Sequence, residues 1–319
     1  MERHLDPTAP GVRLTLPLGL VAATEASARA AAKGLGRADA ERVREVAATA
    51  MLEALEDLEV QGHLAYGPRD NTVLSRGLTV GAGGPRVDLG AYPVEGAGLV
   101  ERGHPGALSA VVAVEPGAFP WLPAVWYMET IVTSAVARGA LDLSDPLAAN
   151  LRRIAFAKEV QVSDLTIAIM DRPRHKEMVH AVRTVGARVA LMEEGEIAGA
   201  LAASLEEGPV DAMVGISGLQ ETVIAACAVR CFGGDLQARL WPRNDEEGEL
   251  AGDHLNRIYK LDELAPTLVT GAVTGISGGF LGGVRAGRSF AETETITFST
   301  EPAVFRRIKT KHYHPTVAY

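Results

Sequence analysis

The densest polar cluster in the chain is Asp171-Arg172-Pro173-Arg174-His175. It follows a short apolar run and precedes a helical pattern. Its side chains therefore belong at the carboxyl end of a strand, where open sheets hold their ligands. Pro173 fixes the turn. A helix opening there adds amide donors and a favourable dipole, and two arginines together suit a phosphate. The same residues also read as a solvated loop ion-paired to Glu193, Glu194 or Glu196. A second strand-to-helix turn is Gly215-Ile216-Ser217-Gly218-Leu219-Gln220-Glu221. It either cradles a phosphate, with Glu221 aimed into the site, or is a plain turn; P-loop and GxGxxG spacings are absent. A third segment, Val87-Asp88-Leu89-Gly90-Ala91-Tyr92-Pro93-Val94-Glu95-Gly96-Ala97, runs from a strand into a proline-containing turn. Cys227 and Cys231 share one helix face, as half of a metal site, a redox pair or two buried thiols. His312 and His314 are metal-ligating by type, but their alternate spacing on a strand or tail is more often incidental.

The elements that must position these groups follow from periodicity. A helical pattern covers 20–58 and is interrupted at 34–38, with Asp39 placed to cap the second helix. Apolar runs at 60–66, 78–80, 87–91 and 107–114 read as strands, and 146–157 as a helix. Strands at 165–170, 188–191 and 212–216 then alternate with helices at 176–185, 196–205 and 221–229. Such alternation argues for a parallel sheet with helices on both faces. Strands return at 267–273, 293–299 and 305–313. The acidic stretch 243–253 reads as a surface loop. The expected division is an N-terminal α/β half, 1–160, and a C-terminal α/β half, 161–319.

A chain of 319 residues buries a sizeable core unaided. Its 47% hydrophobic and 22% charged content is that of an ordinary globular protein. A formal net charge of −9 argues against a nucleic-acid partner, so an anion must be held by a few placed arginines or helix N-termini. The 2 cysteines exclude a disulfide framework. No apolar run reaches the roughly 18 residues of a membrane span, and no basic leader precedes 16–23. The expectation is a soluble cytoplasmic protein with no membrane partner.

The order of motifs resembles that of the class II (GlpX-type) fructose-1,6-bisphosphatases, of the lithium-sensitive sugar-phosphatase superfamily. The likeness runs from Thr24-Glu25 and Gly36-Arg37-Ala38-Asp39 to Arg306-Arg307-Ile308 and His312-Tyr313. It is closest at Tyr127-Met128-Glu129, Leu141-Asp142-Leu143, Pro146-Leu147-Ala148 and Asn150-Leu151-Arg152. Arg172-Pro173-Arg174-His175 matches the family's Lys-Pro-Arg-His, and Gly215 through Glu221 its Gly-Ile-Gly-Gly-Ala-Pro-Glu. The resemblance implies a layered α/β/α/β/α fold, a sugar-phosphate ligand and a homodimer or homotetramer. It places Tyr127, Arg172, Arg174, His175 and Gly96 in substrate binding. It also places there Glu194 and Glu196, which replace the family's Asp-Gly-Asp.

The family's phosphate-monoester hydrolysis uses Mg²⁺ or Mn²⁺ held by carboxylates, and this chain departs from it there. By the resemblance, the early-helix aspartate becomes Arg44. The first glutamate of a Gly-Glu-Gly-Glu loop becomes Pro68 and the second Asp70. Asp-Pro-Ile-Glu-Gly-Thr becomes Tyr92-Pro93-Val94-Glu95-Gly96-Ala97. Glu95 and Glu221 remain as metal carboxylates. A fixed charge at Arg44 beside a metal ion would repel it by about 1–4 kcal/mol. The expectation is a phosphosugar-acting protein without a bound cofactor. Arg44 would replace the metal charge, with Tyr92 and Glu95 as acid and base for an isomerase, epimerase or lyase step. One alternative is a divergent Mg²⁺- or Mn²⁺-dependent sugar phosphatase using Glu95, Glu221, Asp70 and Glu45. Another is a non-catalytic phosphosugar-binding subunit.

Overall fold

In the computed structural model the described residues are 10–37, 39–69 and 71–313, with side chains described from residue 16. The chain opens with α1 (Pro10–Ala32) and α2 (Ala40–Glu56). Asp39 caps α2 by accepting from the Arg42 amide at 2.9 Å, as its position predicts. Then come β1 (Gln61–Tyr66), β2 (Thr79–Val80), β3 (Arg86–Glu95), α3 (Ala97–Arg102) and β4 (Leu108–Val114). The middle of the chain contains β5 (Tyr127–Thr133), α4 (Leu147–Ala157), β6 (Thr166–Met170), α5 (Lys176–Thr184), β7 (Arg188–Met192), α6 (Glu196–Ser204), β8 (Ala212–Gly218), α7 (Leu219–Cys231), β9 (Asp235–Trp241), α8 (Asp245–Ala251), β10 (Ile258–Lys260) and α9 (Leu261–Leu264). The last strands are β11 (Val269–Gly275), β12 (Arg285–Ala286), β13 (Phe290–Thr300) and β14 (Ala303–Tyr313).

These elements form two compact units. Unit 1 takes the residues up to Ala118 and those from Leu268 onward. Its mixed sheet has the order β12-β13-β11-β4-β3-β1-β2, with β14 beside β13. The C-terminal strands return to this sheet because β11 pairs along its whole length with β4 and also with β13. Its core joins Leu20, Met51 and Leu55 of the two helices to Leu64, Leu89 and Val111 of the sheet. Unit 2 is Phe119–Thr267, with the sheet order β10-β9-β5-β8-β6-β7. The expected boundary near residue 160 falls inside unit 2. Two mixed sheets packed with helices give the α/β class expected from the sequence.

Two expectations need correction. The sheet of unit 2 is parallel only across β7, β6 and β8. β5 inserts antiparallel between β8 and β9, and periodicity alone cannot announce such a partner. The stretch 243–253 is also not all loop. Asn244 accepts from the Glu247 amide at 2.9 Å, and Asp245, Glu246 and Glu247 occupy the first turn of α8. A side-chain cap plus acids at the positive helix end nucleates a short helix that composition hides. No helix among the described residues is long and apolar enough to cross a membrane.

Candidate functional site

Strand direction gathers the sequence motifs of unit 2 at one end of its sheet. The parallel strands β6, β7 and β8 finish at Met170, Met192 and Gly218. Arg172 and Arg174, Glu194 and Glu196, and Glu221 follow these three ends. β5 begins at the same end, since Tyr127 pairs with Gly218 on one side and with Trp241, the last residue of β9, on the other. This is the carboxyl-end crevice where open sheets bind ligands.

The opening between β6 and β8 has a definite cause. Their register stops at Ala168 and Met213, two residues short of the end of β6. His175 fills the gap. Its Nε2 accepts the Ile216 amide at 2.8 Å, so Nδ1 carries the hydrogen and donates to the Met170 carbonyl at 2.8 Å. The ring is fully buried. Burial, and then the Arg174 and Arg172 charges, hold its pKa below the ordinary histidine value. His175 thus replaces two ladder hydrogen bonds and keeps no ring nitrogen for a ligand, which corrects its expected substrate-binding role. Arg174 donates to the Ile216 carbonyl at 3.1 Å and lies 4.9 Å over the Tyr127 ring. Its buried Nε has no hydrogen-bond partner, so the guanidinium is anchored but not saturated.

Glu196 is pushed up to about 7 by burial and by the charge of Glu221, while Arg172 and Arg174 pull the other way. A carboxyl crowded by a second carboxylate keeps its proton into the neutral range. Two glycines make this crowding possible. Gly195 lies at φ +113° just before α6, which an L side chain rarely adopts. A Cβ on Gly218 would stand 2.0 Å from a Glu221 carboxylate oxygen. Ser217 belongs to the other face of β8 and meets Thr130 at 3.2 Å. This end of the sheet therefore offers two cations for a phosphate, and a proton donor beside a proton acceptor for hydroxyls.

The unit 1 candidates are placed differently. Pairing of β3 with β4 shifts register between Tyr92 and Glu95. Pro93 lies in that interval and has no amide for the ladder, which favours an irregularity. Ser27 steadies the turn by donating to the Pro93 carbonyl at 2.7 Å. Glu95 is 3% exposed and Tyr92 partly buried. Gly96, at φ +80°, starts α3 and leads into Ala97. Arg44, expected to replace a metal charge, lies on α2, which buries Val43, Ala47, Ala48, Met51 and Leu55, and its own side chain is exposed. Its neighbour Glu45 pairs with Arg42 at 2.7 Å on the surface. Asp70 lies outside the described residues, as does His314.

Among the described residues no group of three or more His, Cys, Asp or Glu is placed to hold an ion. Hard cations want several oxygen ligands together. Cys227 and Cys231 both lie on α7, and Cys227 is fully buried. Burial pushes the Cys227 thiol up and that of Cys231 up to about 12, so both are inert. His312 meets the Thr293 hydroxyl at 2.9 Å and the Glu25 carboxylate at 3.7 Å inside unit 1, a structural cluster.

Sequence reasoning missed Trp241 and the Glu129–Arg239 ion pair, which is 2.5 Å long. All three lie on β5 or β9. The β-branched run Thr130-Ile131-Val132-Thr133 was the available signal for β5.

Comparison with known proteins identifies the family. The family model described as bacterial fructose-1,6-bisphosphatase, glpX-encoded, matches residues 14–312. The chain is 32% identical over 312 residues to a protein of Haemophilus influenzae named fructose-1,6-bisphosphatase class 2, covering 91% of this chain and 93% of the relative. It is 31% identical over 324 residues to the fructose-1,6-bisphosphatase 1 class 2 of Escherichia coli K12, covering 95% and 96%. With motifs, fold and these matches in agreement over almost its whole length, the chain belongs to the bacterial, glpX-encoded fructose-1,6-bisphosphatase family.

Proposed function

We propose that the protein binds a sugar phosphate at the carboxyl end of the unit 2 sheet and acts on it by carboxylate acid–base chemistry, with the family's hydrolysis altered. Arg172 and Arg174 hold the phosphate as a spectator anion, beside Tyr127. Glu196 supplies a proton near neutral pH, and the Glu221 carboxyl group that acts on it takes one. A proton-relocating step on a phosphosugar, of isomerase, epimerase or lyase type, needs such a donor beside an acceptor. Tyr92 and Glu95 are the proton-transfer groups that unit 1 offers. Glu194 extends the hydroxyl-binding set. The observation that carries the reading is the convergence of Glu221, Arg172 and Arg174 on Glu196, whose titration each of the three shifts. By family, we infer a homodimer or homotetramer.

The second reading is the activity in the relatives' names, favoured by the persistence of Glu95 and Glu221. Those two would hold Mg²⁺ or Mn²⁺, and the ion would supply charge neutralisation and an activated water. Two carboxylates alone are fewer oxygen ligands than such an ion takes. Phosphorus NMR on fructose 1,6-bisphosphate, with Mn²⁺ or with EDTA, separates the two. Under the first reading the phosphate stays esterified and Glu196→Gln slows turnover. Release of inorganic phosphate that requires Mn²⁺ and vanishes in Glu95→Gln would establish the second.

A further inference from the structure

We propose that unit 1 carries a small-molecule site of its own, for a free α-amino acid with a branched or aromatic apolar side chain. The site lies where the N-terminal part of α1 meets the ends of β3, β4, β11 and β13, and it does not depend on the phosphosugar reading.

A cavity of about 200 Å³ opens there, and every residue that lines it belongs to unit 1. Its body is apolar, with Leu16 and Pro17 from α1 and Val87, Ala113 and Val269 from the sheet. The sheet register explains the space. Thr270 is opposed to Ala113 on one side and to Ser299 on the other. Directly opposed residues of antiparallel strands project from the same face, and Ala113 packs in the core with Leu20 of α1. Three short side chains therefore form one row beneath the helix, too low to fill the gap. Their hydroxyls need no ligand. Ser299 donates to the Pro302 carbonyl at 2.6 Å, and Thr270 to the Phe298 carbonyl at 3.4 Å. What the lining leaves over is charge. Arg86 and Glu115 both line the cavity and are exposed, and among the described residues neither is taken up by an ion pair.

The ligand class follows from these three features. An engineered cavity of about 150 Å³ holds benzene, so this one holds an isobutyl or benzyl group, whose removal from water favours binding. Arg86 offers a guanidinium fork to a carboxylate. Glu115 offers a carboxylate to an ammonium group. Glu301 also lines the cavity, so acids outnumber the single guanidinium, and a ligand with only negative charge, such as a phosphate ester, is repelled. An apolar α-amino acid carries a carboxylate, an ammonium group and an apolar side chain on one carbon. Bound there, it ties α1 to the sheet and stabilises the native chain.

The test is calorimetric titration and thermal melting of the full chain with L-leucine, L-phenylalanine, 3-phenylpropionate, phenethylamine and L-glutamate. The variants are Arg86→Gln and Glu115→Gln, both at exposed positions, and Thr270→Leu, which fills the cavity without changing its charge. Circular dichroism checks each fold. The expected result is that L-leucine or L-phenylalanine raises the melting temperature and binds about tenfold more tightly than the analogues lacking the ammonium or the carboxylate, and than L-glutamate. Arg86→Gln and Glu115→Gln should each weaken that amino acid about tenfold, and Thr270→Leu should weaken it as well. No saturable binding of either amino acid at millimolar concentration overturns the proposal. So does equal affinity for 3-phenylpropionate or phenethylamine, unchanged affinity in both charge variants, or a folded Thr270→Leu variant that binds as the wild type does.

Discussion

Glu25 in unit 1 and Glu196 in unit 2 are both withdrawn from water, but they are treated in opposite ways. Glu25 is 5% exposed and receives hydroxyl hydrogen bonds from Thr293 at 3.0 Å and Thr295 at 3.3 Å. Because the Thr293 hydroxyl donates to Glu25, it accepts from His312 Nε2–H at 2.9 Å. The network continues from Thr295 to Thr274 at 2.8 Å and from Thr274 to Thr24 at 2.7 Å. Each donor is placed on α1, β11, β13 or β14, so the carboxylate ties four elements together. Glu196 instead faces a second carboxylate and two arginines, and burial with Glu221 raises it to about 7. A carboxylate whose neighbours are satisfied donors consolidates a core. One crowded by its own kind holds a movable proton.

The largest effect should therefore come from the quiet site. Glu25→Ala leaves the buried Thr293 and Thr295 hydroxyls without their acceptor, which costs about 3 kcal/mol of stability. Urea unfolding measures it, and affinity for sugar phosphate should stay at the wild-type value in the folded protein. A loss of affinity with no loss of stability would reverse the comparison. Arg174→Ala should do the converse. It removes the unsaturated guanidinium over Tyr127 and weakens fructose 1,6-bisphosphate about thirtyfold, or about 2 kcal/mol.

The third prediction concerns pH. The folded-state pKa of Glu196 is raised to about 7 from the model-compound value of 4.5, so the native state holds a proton that the unfolded chain has released. Stability from this group falls as pH rises through that window and stays low above it. Glu196→Gln removes the cost. It should be more stable than the wild type by about 1–2 kcal/mol at pH 8 and nearly equal to it at pH 5. Thermal melts at the two pH values read the difference. A variant stabilised equally at both pH values would mean that titration is not the cause.

How far the sequence discloses this comparison depends on distance along the chain. The strand–helix alternation from Thr166 to Cys231 is local, and its period is visible residue by residue. The clustering of Arg172, Arg174, Glu196 and Glu221 follows once the strands are taken as parallel. The pairing of Tyr127 with Trp241, and of Glu25 with Thr293, is set by contacts between residues far apart in sequence. No local period encodes them. His175 is a different case. Its residue type suggests a ligand contact, but its burial between Met170 and Ile216 becomes visible only where the β6–β8 ladder stops.

Arg44 gives the smallest predicted effect and a more general lesson. Motif order placed it where the family has an early-helix aspartate. Yet the apolar residues Val43, Ala47, Ala48, Met51 and Leu55 recur at helical spacing, and the structure buries that face. Position 44 shares their stripe, about 20° from Met51 and from Leu55 on a helical wheel, yet near the N-terminal end of α2 its side chain is exposed. Arg44→Ala should accordingly change stability by less than about 0.5 kcal/mol and leave phosphosugar affinity and turnover at wild-type values. A tenfold loss of turnover in Arg44→Ala at unchanged stability would restore the arginine to the chemistry and would require exposed Arg44 to meet the substrate directly.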